Sequence, residues 1–134
     1  MEKQIKYELV NGLHMGITSI DELVNHVKND ELRKHMIELK EEYQDNYRRL
    51  IQHYPDAREE IKNNVMIDAM LKMKALMVDD QKIAKMLIEG CNQGVMTSAQ
   101  LLNKHEIIEN ELKECIHDFD DISKRYAESL KIFL

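Results

Sequence analysis

The sequence feature that most constrains this chain is an internal repeat centred on its four glycines. Gly12-x-x-x-Gly16 recurs as Gly90-x-x-x-Gly94 when the sequence is shifted by 78 residues. The same shift pairs further residues of similar type: Ile17 with Val95, Ser19 with Thr97, Leu23 with Leu101, Val24 with Leu102 and Asn25 with Asn103. An internal repeat of this kind indicates one supersecondary unit used twice.

The repeated unit is predicted to be helical. The chain of 134 residues contains one proline and four glycines, so residues that break helices are rare. Hydrophobic residues make up 43% of the sequence and charged residues 33%, which is typical of a protein with an apolar core and a charged surface. We therefore expect a single all-α domain over residues 1–134, long enough to bury a substantial core.

Charge and cysteine content restrict the expected partners and compartment. The net charge of −6 argues against non-specific binding to nucleic acid, which depends on Lys and Arg at the phosphates. Cys91 and Cys115 form neither a C-x-x-C pair nor a disulfide framework, so a reducing compartment is expected. Because no apolar run reaches the length of a membrane span or a signal-peptide core, we expect a cytoplasmic protein without a membrane partner.

The apolar spacing of the first half predicts two helices. A first helix from Lys3 to Val27 places apolar or small residues three and four apart, at Ile5, Leu9, Gly12, Gly16, Ile20, Leu23 and Val27. A second helix begins after an N-cap at Asn29-Asp30. Its inward face carries a heptad seam: Leu32, Met36, Leu39, Tyr43, Asn46 and Leu50. Tyr54-Pro55 ends this first hairpin, residues 3–54, because proline disfavours helix in the residue before it.

The second half predicts another hairpin, residues 79–134. Asp79-Asp80 caps a helix whose expected inward residues are Ile83, Leu87, Cys91, Val95 and Leu102. The last helix has an inward stripe of Leu112, Ile116, Phe119, Ile122, Tyr126, Leu130 and Phe133. Between the hairpins, residues 55–78 form a crossover that is predicted to be partly helical and carries Met66, Met70, Met73 and Met77.

The segments "NGLHMGITSIDELVNHVKNDELRKHM" and "EGCNQGVMTSAQLLNKHEIIENELKECI", with "DDQKIAKMLIEG" opening the second half, resemble small bacterial ferritin-like proteins of unassigned function. The resemblance covers nearly the whole chain. It implies a ferritin-like four-helix bundle, built from two repeated helical hairpins joined by a long crossover. It also implies a two-metal carboxylate site inside the bundle, which can be tested against the residues.

The residues required for a two-metal site are incomplete in this sequence. The family pattern needs a Glu from each of two helices and Glu-x-x-His from each of the other two. Only Glu114-Cys-Ile-His117 fits the second element, and the repeat-related positions hold Lys34 and Ile37. A helical residue advances about 100°, which turns Glu114 and His117 away from the inward stripe of the last helix.

The remaining carboxylates do not complete the site. Glu8 and Glu42 are the nearest to inward positions, and both fall on the flank of their helices. We therefore expect no metal and no cofactor. The alternative is a di-iron or di-manganese carboxylate oxidoreductase or metal store, for which Glu8, Glu42, Glu114 and His117 are the candidate ligands.

The glycines have two interpretations. Glycine inside a helix is unfavourable relative to alanine, so Gly12, Gly16, Gly90 and Gly94 are predicted to lie where the first and third helices touch. The alternative is a small ligand cavity left by the absent side chains. Asn46 and Tyr126 are polar groups at inward positions, which either bond each other or line such a cavity.

The predicted function is non-catalytic. An inward face without metal ligands favours action through assembly or partner binding. The methionines Met66, Met70, Met73 and Met77 are the predicted interface, either with further copies of the chain or with a protein partner.

Overall fold

The computed structural model describes residues 2–60, 79–104 and 107–134. This part of the chain contains four α-helices: α1 (Glu2–Leu23), α2 (Asp30–His53), α3 (Asp80–Lys104) and α4 (Asn110–Ser129). Short 3-10 helical turns lie at Val24–His26, Pro55–Glu60 and Leu130–Phe133. No strand occurs in the described residues, and the predicted all-α class is confirmed.

Helices α2 and α4 bury the faces that their apolar spacing predicts. All six predicted inward residues of α2 are buried, including the polar Asn46. Along α4 and the following turn the predicted stripe is buried except for Phe133, which is half-buried. The predicted N-cap of α2 is also confirmed, because Asn29 Oδ1 accepts hydrogen bonds from the backbone N–H groups of Glu31 (2.9 Å) and Leu32 (3.1 Å).

The four helices enclose one apolar core. Helix α1 packs against α2 and α3, and α4 packs against the same two helices. The largest fully buried side chains come from all four helices: Ile5, Leu9, Leu13, Ile20, Leu23, Leu32, Met36, Leu39, Leu50, Ile83, Leu101 and Leu112. Within the described chain, α3 and α4 share the most extensive contact.

Hydrogen bonds at one end of the helices determine how the two halves are joined. The Asp80 carboxylate, at the start of α3, accepts hydrogen bonds from the backbone N–H groups of Lys28 (3.0 Å) and Asn29 (2.8 Å), just before α2. Helices α2 and α3 therefore begin side by side and run in the same direction.

The chain leaves α2 at the opposite end. Tyr54, which follows α2, lies beneath the ammonium group of Lys6 near the start of α1, 4.4 Å from the ring centroid. Glu60 ends the turn that follows α2, at one end of the helices. Asp79 precedes α3 at the opposite end. Most of the predicted crossover, including Met66, Met70, Met73 and Met77, falls outside the described residues.

Helix α3 is rotated relative to its prediction. The first three predicted inward residues are buried, but Val95 and Leu102 are only half-buried. The residues buried in addition are Ala84, Ile88, Gly94, Ser98 and Leu101. Because α3 packs more extensively on α4 than on α1, its small residues turn toward α4.

The outward faces of the helices carry ion pairs between side chains three or four residues apart. Arg48 pairs with Asp45 at 2.7 Å, and Lys124 pairs with Asp120 at 2.7 Å. Among residues 2–60, 79–104 and 107–134, no helix combines the length and apolar character needed to cross a membrane.

Candidate functional site

A cavity of about 200 Å³ lies between α1 and α3. Its walls come from these two helices, and its floor is formed by Leu39 and Tyr43 of α2 and Phe119 of α4. The remaining lining residues are Gly12, Met15, Gly16, Ser19, Ile20, Leu23, Met86, Leu87, Gly90, Cys91, Gln93, Gly94 and Thr97. All four glycines of the chain therefore face one space.

The glycines of α1 leave room for aromatic rings from other helices. A Cβ added at Gly12 would lie 3.1 Å from Cζ of Phe119, and one added at Gly16 would lie 3.1 Å from Cε2 of Tyr43. These distances are tighter than ordinary van der Waals contact. The absence of side chains at both positions thus allows the rings of Phe119 and Tyr43 to reach the cavity.

The glycines of α3 differ from each other. A Cβ at Gly94 would lie 2.7 Å from Oγ of Ser123 and 3.1 Å from Cζ of Phe119, whereas one at Gly90 meets no atom of the described residues within 4 Å. The predicted contact between the first and third helices at these glycines is therefore corrected. Gly12, Gly16 and Gly94 face side chains of α2 and α4, and Gly90 faces open space. For Gly94, the reason is the rotation of α3 toward α4.

The sequence repeat converges on this cavity. The repeat-related pairs Gly12 with Gly90, Gly16 with Gly94, and Ser19 with Thr97 all contribute to its lining. The cavity interpretation of the glycines, which the sequence left open, therefore agrees better with the structure than direct helix contact does.

The floor of the cavity contains a small buried polar cluster. The Tyr43 hydroxyl lies 2.9 Å from Oγ of Ser123 and 3.7 Å from Sγ of Cys91. The Tyr43 ring packs against Phe119 with centroids 5.7 Å apart and a tilt of 45°. Burial raises the pKa of Tyr43 far above its ordinary value and raises the pKa of Cys91 to about 11. Both groups are therefore neutral at physiological pH.

No Asp, Glu, Lys, Arg or His side chain in the part of the chain that the structure describes lines this cavity. Its polar residues Ser19, Gln93 and Thr97 are half-buried or exposed, and Met15 is 39% exposed. The cavity is thus apolar and neutral at its floor and opens to solvent at a more polar mouth. Such a site suits an uncharged molecule, and its described lining lacks the carboxylates of a two-metal iron or manganese site.

The candidate metal ligand Glu42 is engaged in an ion pair. Its carboxylate accepts hydrogen bonds from the guanidinium of Arg125, the shorter at 2.6 Å. Hydrogen bonding to Arg125 holds the pKa of Glu42 below its ordinary value, and a hydrogen bond from Tyr126 acts in the same direction. Glu42 therefore lies on the flank between α2 and α4, as its helical position predicts.

Among the described residues, the other candidate ligands do not form a metal-binding group with Glu42. Glu114 is exposed and pairs with Arg49 of α2, and His117 is exposed on α4. Glu8 is half-buried on α1, a helix that carries neither of them. Across the described ranges, no group of three or more His, Cys, Asp or Glu side chains is arranged to hold a metal ion.

Arg49 links α2 to α4 through ion pairs that were not predicted from the sequence. Its guanidinium donates to Glu111 (Nε to Oε1, 2.6 Å), to Asp118 (Nη1 to Oδ2, 2.8 Å) and to Glu114. The hydrogen bond from Arg49 lowers the pKa of Glu111. The spacing of these acidic residues along α4, three and four apart, was the available signal for a continuous acidic edge.

Asn46 lies in a separate polar cleft between α2 and α4, together with Arg49 and Arg125. Its side-chain amide donates to the backbone carbonyl of Cys115 at 3.2 Å. The sequence had suggested that Asn46 and Tyr126 bond each other or line the glycine cavity. The structure instead pairs Asn46 with the backbone of Cys115. Neither Asn46 nor Tyr126 lines the glycine cavity.

No family model, curated protein or solved structure compared with this chain matches it. The contacts of its own residues are therefore what supports a function.

Proposed function

We propose that this protein is a cytoplasmic ferritin-like four-helix bundle that has no two-metal centre and acts through binding or assembly rather than catalysis. The observation that carries the proposal is the apolar cavity between α1 and α3, which has a neutral floor and, within the described ranges, no charged lining residue. A ferritin-like metal site would require carboxylates pointing inward.

Two features of the helix arrangement support the ferritin-like part of the proposal. Helices α2 and α3 begin side by side, as the hydrogen bonds from Lys28 and Asn29 to Asp80 require. The connection from α2 to α3 must then return along the length of the helices. This agrees with two hairpins joined by a long crossover.

The positions of the candidate ligands support the loss of the metal site. Glu42 and Glu114 are each paired with an arginine, and the two pairs involve different partners, Arg125 and Arg49. A carboxylate that is already neutralised by a guanidinium is a poor ligand for a divalent cation, because the metal must displace the arginine. The residues present therefore do not fit an iron or manganese pair.

Metal analysis tests the proposal. Protein purified without chelator and then loaded aerobically with iron, or with manganese, is expected to retain much less than two metal ions per chain. Glu42→Gln and Glu8→Gln should leave this content unchanged, as should the control Glu41→Gln on the exposed face of α2. Two metal ions per chain, lost on changing Glu42 or Glu8 but retained in the control, would support a di-metal oxidoreductase or metal store instead.

The assembly part of the proposal rests on the methionines of the crossover. Sedimentation of the wild type should detect an oligomer that dissociates in a Met70→Glu, Met73→Glu variant, because charged groups oppose burial in an apolar interface. Met96→Glu is the control, since Met96 is 52% exposed on α3. Monomers in every sample would contradict the assembly part of the proposal, and partner or ligand binding would then be the proposed mode of action.

A further inference from the structure

We propose that the cavity between α1 and α3 binds a small uncharged molecule that is largely apolar and contains a single ring. This inference rests on the proposed binding function and specifies the class of ligand that is bound.

The volume of the cavity sets the size of the ligand. An apolar cavity of about 150 Å³ is large enough to bind benzene. At about 200 Å³, the cavity between α1 and α3 accommodates one six-membered ring with a short substituent.

The lining excludes a charged ligand. Transfer of a charge from water into an apolar site is strongly unfavourable unless a partner of opposite charge is present. Among the residues that the structure describes, none of the lining side chains is charged, and Tyr43 and Cys91 remain neutral. A polar substituent finds partners at the mouth, where Ser19, Gln93 and Thr97 lie.

The floor provides aromatic surfaces for a ring. Phe119 and Tyr43 both line the cavity, and their own rings are tilted against each other. A ligand ring placed above them makes offset or edge-to-face contacts, which are the favoured geometries of aromatic pairs.

Gly90 faces open space rather than a closely packed neighbour among the described residues. A Cβ there meets no atom within 4 Å, so packing within the described chain does not require a glycine. Alanine would favour the helix more than glycine does. Because Gly90 lines the cavity and is exposed, a longer side chain at residue 90 is expected to reach the mouth of the cavity.

Methionine methyl groups provide a direct readout of binding. Met15 and Met86 line the cavity, whereas Met96 does not. Toluene is the probe, and benzoate is its charged counterpart of similar size. We expect toluene to shift the methyl resonances of Met15 and Met86, to leave that of Met96 in place, and to raise the Tm. Benzoate should have neither effect.

A cavity-filling variant locates the binding site. Gly90→Leu places a side chain where the cavity is open and is expected to fold, because its Cβ meets no neighbour. Asn92→Leu adds a similar side chain at an exposed position of α3 that does not line the cavity. The toluene-dependent rise in Tm should be lost in Gly90→Leu and retained in Asn92→Leu.

The inference is overturned if toluene leaves the wild-type methyl resonances unchanged, or if benzoate binds as well as toluene. It is also overturned if toluene stabilises Gly90→Leu as much as the wild type. A wild-type dimer that Gly90→Leu converts to a monomer would assign the cavity to a second copy of the chain. The toluene experiments test the ligand class, whereas the metal analysis tests the absence of a two-metal centre. A negative result in one therefore does not contradict the other proposal.

Discussion

The hydroxyl group of Tyr43 on α2 lies 2.9 Å from Oγ of Ser123 on α4, within the buried floor of the cavity. Ser123 is fully buried and Tyr43 is 4% exposed. Gly94 of α3 faces the same pair, because a Cβ at this position would lie 2.7 Å from Oγ of Ser123. Three helices therefore meet at one hydrogen bond.

Gly94→Ala is expected to lower the free energy of unfolding by about 1–3 kcal/mol, a typical cost of overpacking. The added methyl group must displace the buried Ser123 hydroxyl or the Phe119 ring, 3.1 Å away. Gly90→Ala is the matched control on the same helix and should increase stability by up to about 1 kcal/mol. The added Cβ contacts no described atom within 4 Å, and alanine favours the helix more than glycine does. Urea unfolding measures both, and shifts of the same sign would contradict the environments assigned to these glycines.

Gly16→Ala and Gly94→Ala are expected to be non-additive. The first substitution pushes on the Tyr43 ring and the second on Ser123, and these two side chains are hydrogen-bonded. Once either methyl group has displaced its partner, the second costs less, so the double variant should lose less stability than the sum by about 0.5 kcal/mol or more. A double-mutant cycle in urea measures this coupling. Pairing Gly94→Ala with Glu31→Ala, an exposed residue in the first turn of α2, should give additive effects.

Alkaline pH is expected to destabilise the protein through its two buried thiols. Burial raises the pKa of Cys91 and of Cys115 from an ordinary value of 9.0 to about 11. The unfolded chain releases these protons at lower pH than the folded chain, so their contribution to stability is complete below about pH 9 and is lost as the pH rises to about 11.

The variant Cys91→Ala, Cys115→Ala should therefore lose less stability than the wild type over this pH range, with a difference on the order of 2 kcal/mol for each thiol. Urea unfolding at several pH values measures the slope. Ile83→Val removes a buried methyl group without a titrating proton and should keep the wild-type slope. Equal slopes in the wild type and the double variant would contradict the assignment to the thiols.

Arg49→Ala is expected to destabilise the protein more than Arg48→Ala, although the two residues are adjacent. Loss of Arg49 leaves Glu111, Glu114 and Asp118 close together without their shared cation. Arg48 pairs with the exposed Asp45, an interaction that contributes at most about 1 kcal/mol. Thermal unfolding of both variants at low salt and at about 1 M salt measures the effect. Salt screens exposed charges and should therefore reduce the difference in Tm between Arg49→Ala and Arg48→Ala. Equal effects of both variants at low salt would argue against a network centred on Arg49.

Local sequence patterns predicted the helices and the buried faces of α2 and α4. Large apolar residues recur three and four apart on these helices, so only one face of each can enter the core. Asn29 was likewise predictable as a cap, because its side chain bonds backbone groups two and three residues away. These features depend on neighbours in sequence, and a single chain segment specifies them.

The phase of α3 was less predictable because small residues, including Ala84, Gly90, Gly94 and Ser98, are distributed along the helix. A small residue adds little hydrophobic energy on either side, and its position in the sequence does not reveal which helix it faces. The contacts of α3 with α4 decided this orientation. Arg49 was missed for a related reason, since a charge on the flank of a helix looks the same in sequence whether or not another helix supplies partners.

The sequence by itself determined an all-helical chain, the apolar seam of α2 and the repeated glycine positions. Only the tertiary structure decided that those glycines open a cavity, because a glycine specifies the absence of a side chain but not what fills the space. The rings of Phe119 and Tyr43 reach the floor from α4 and α2, far from the glycines in sequence. Local periodicity determines which face of a helix is apolar, whereas packing between distant segments determines what that face contacts.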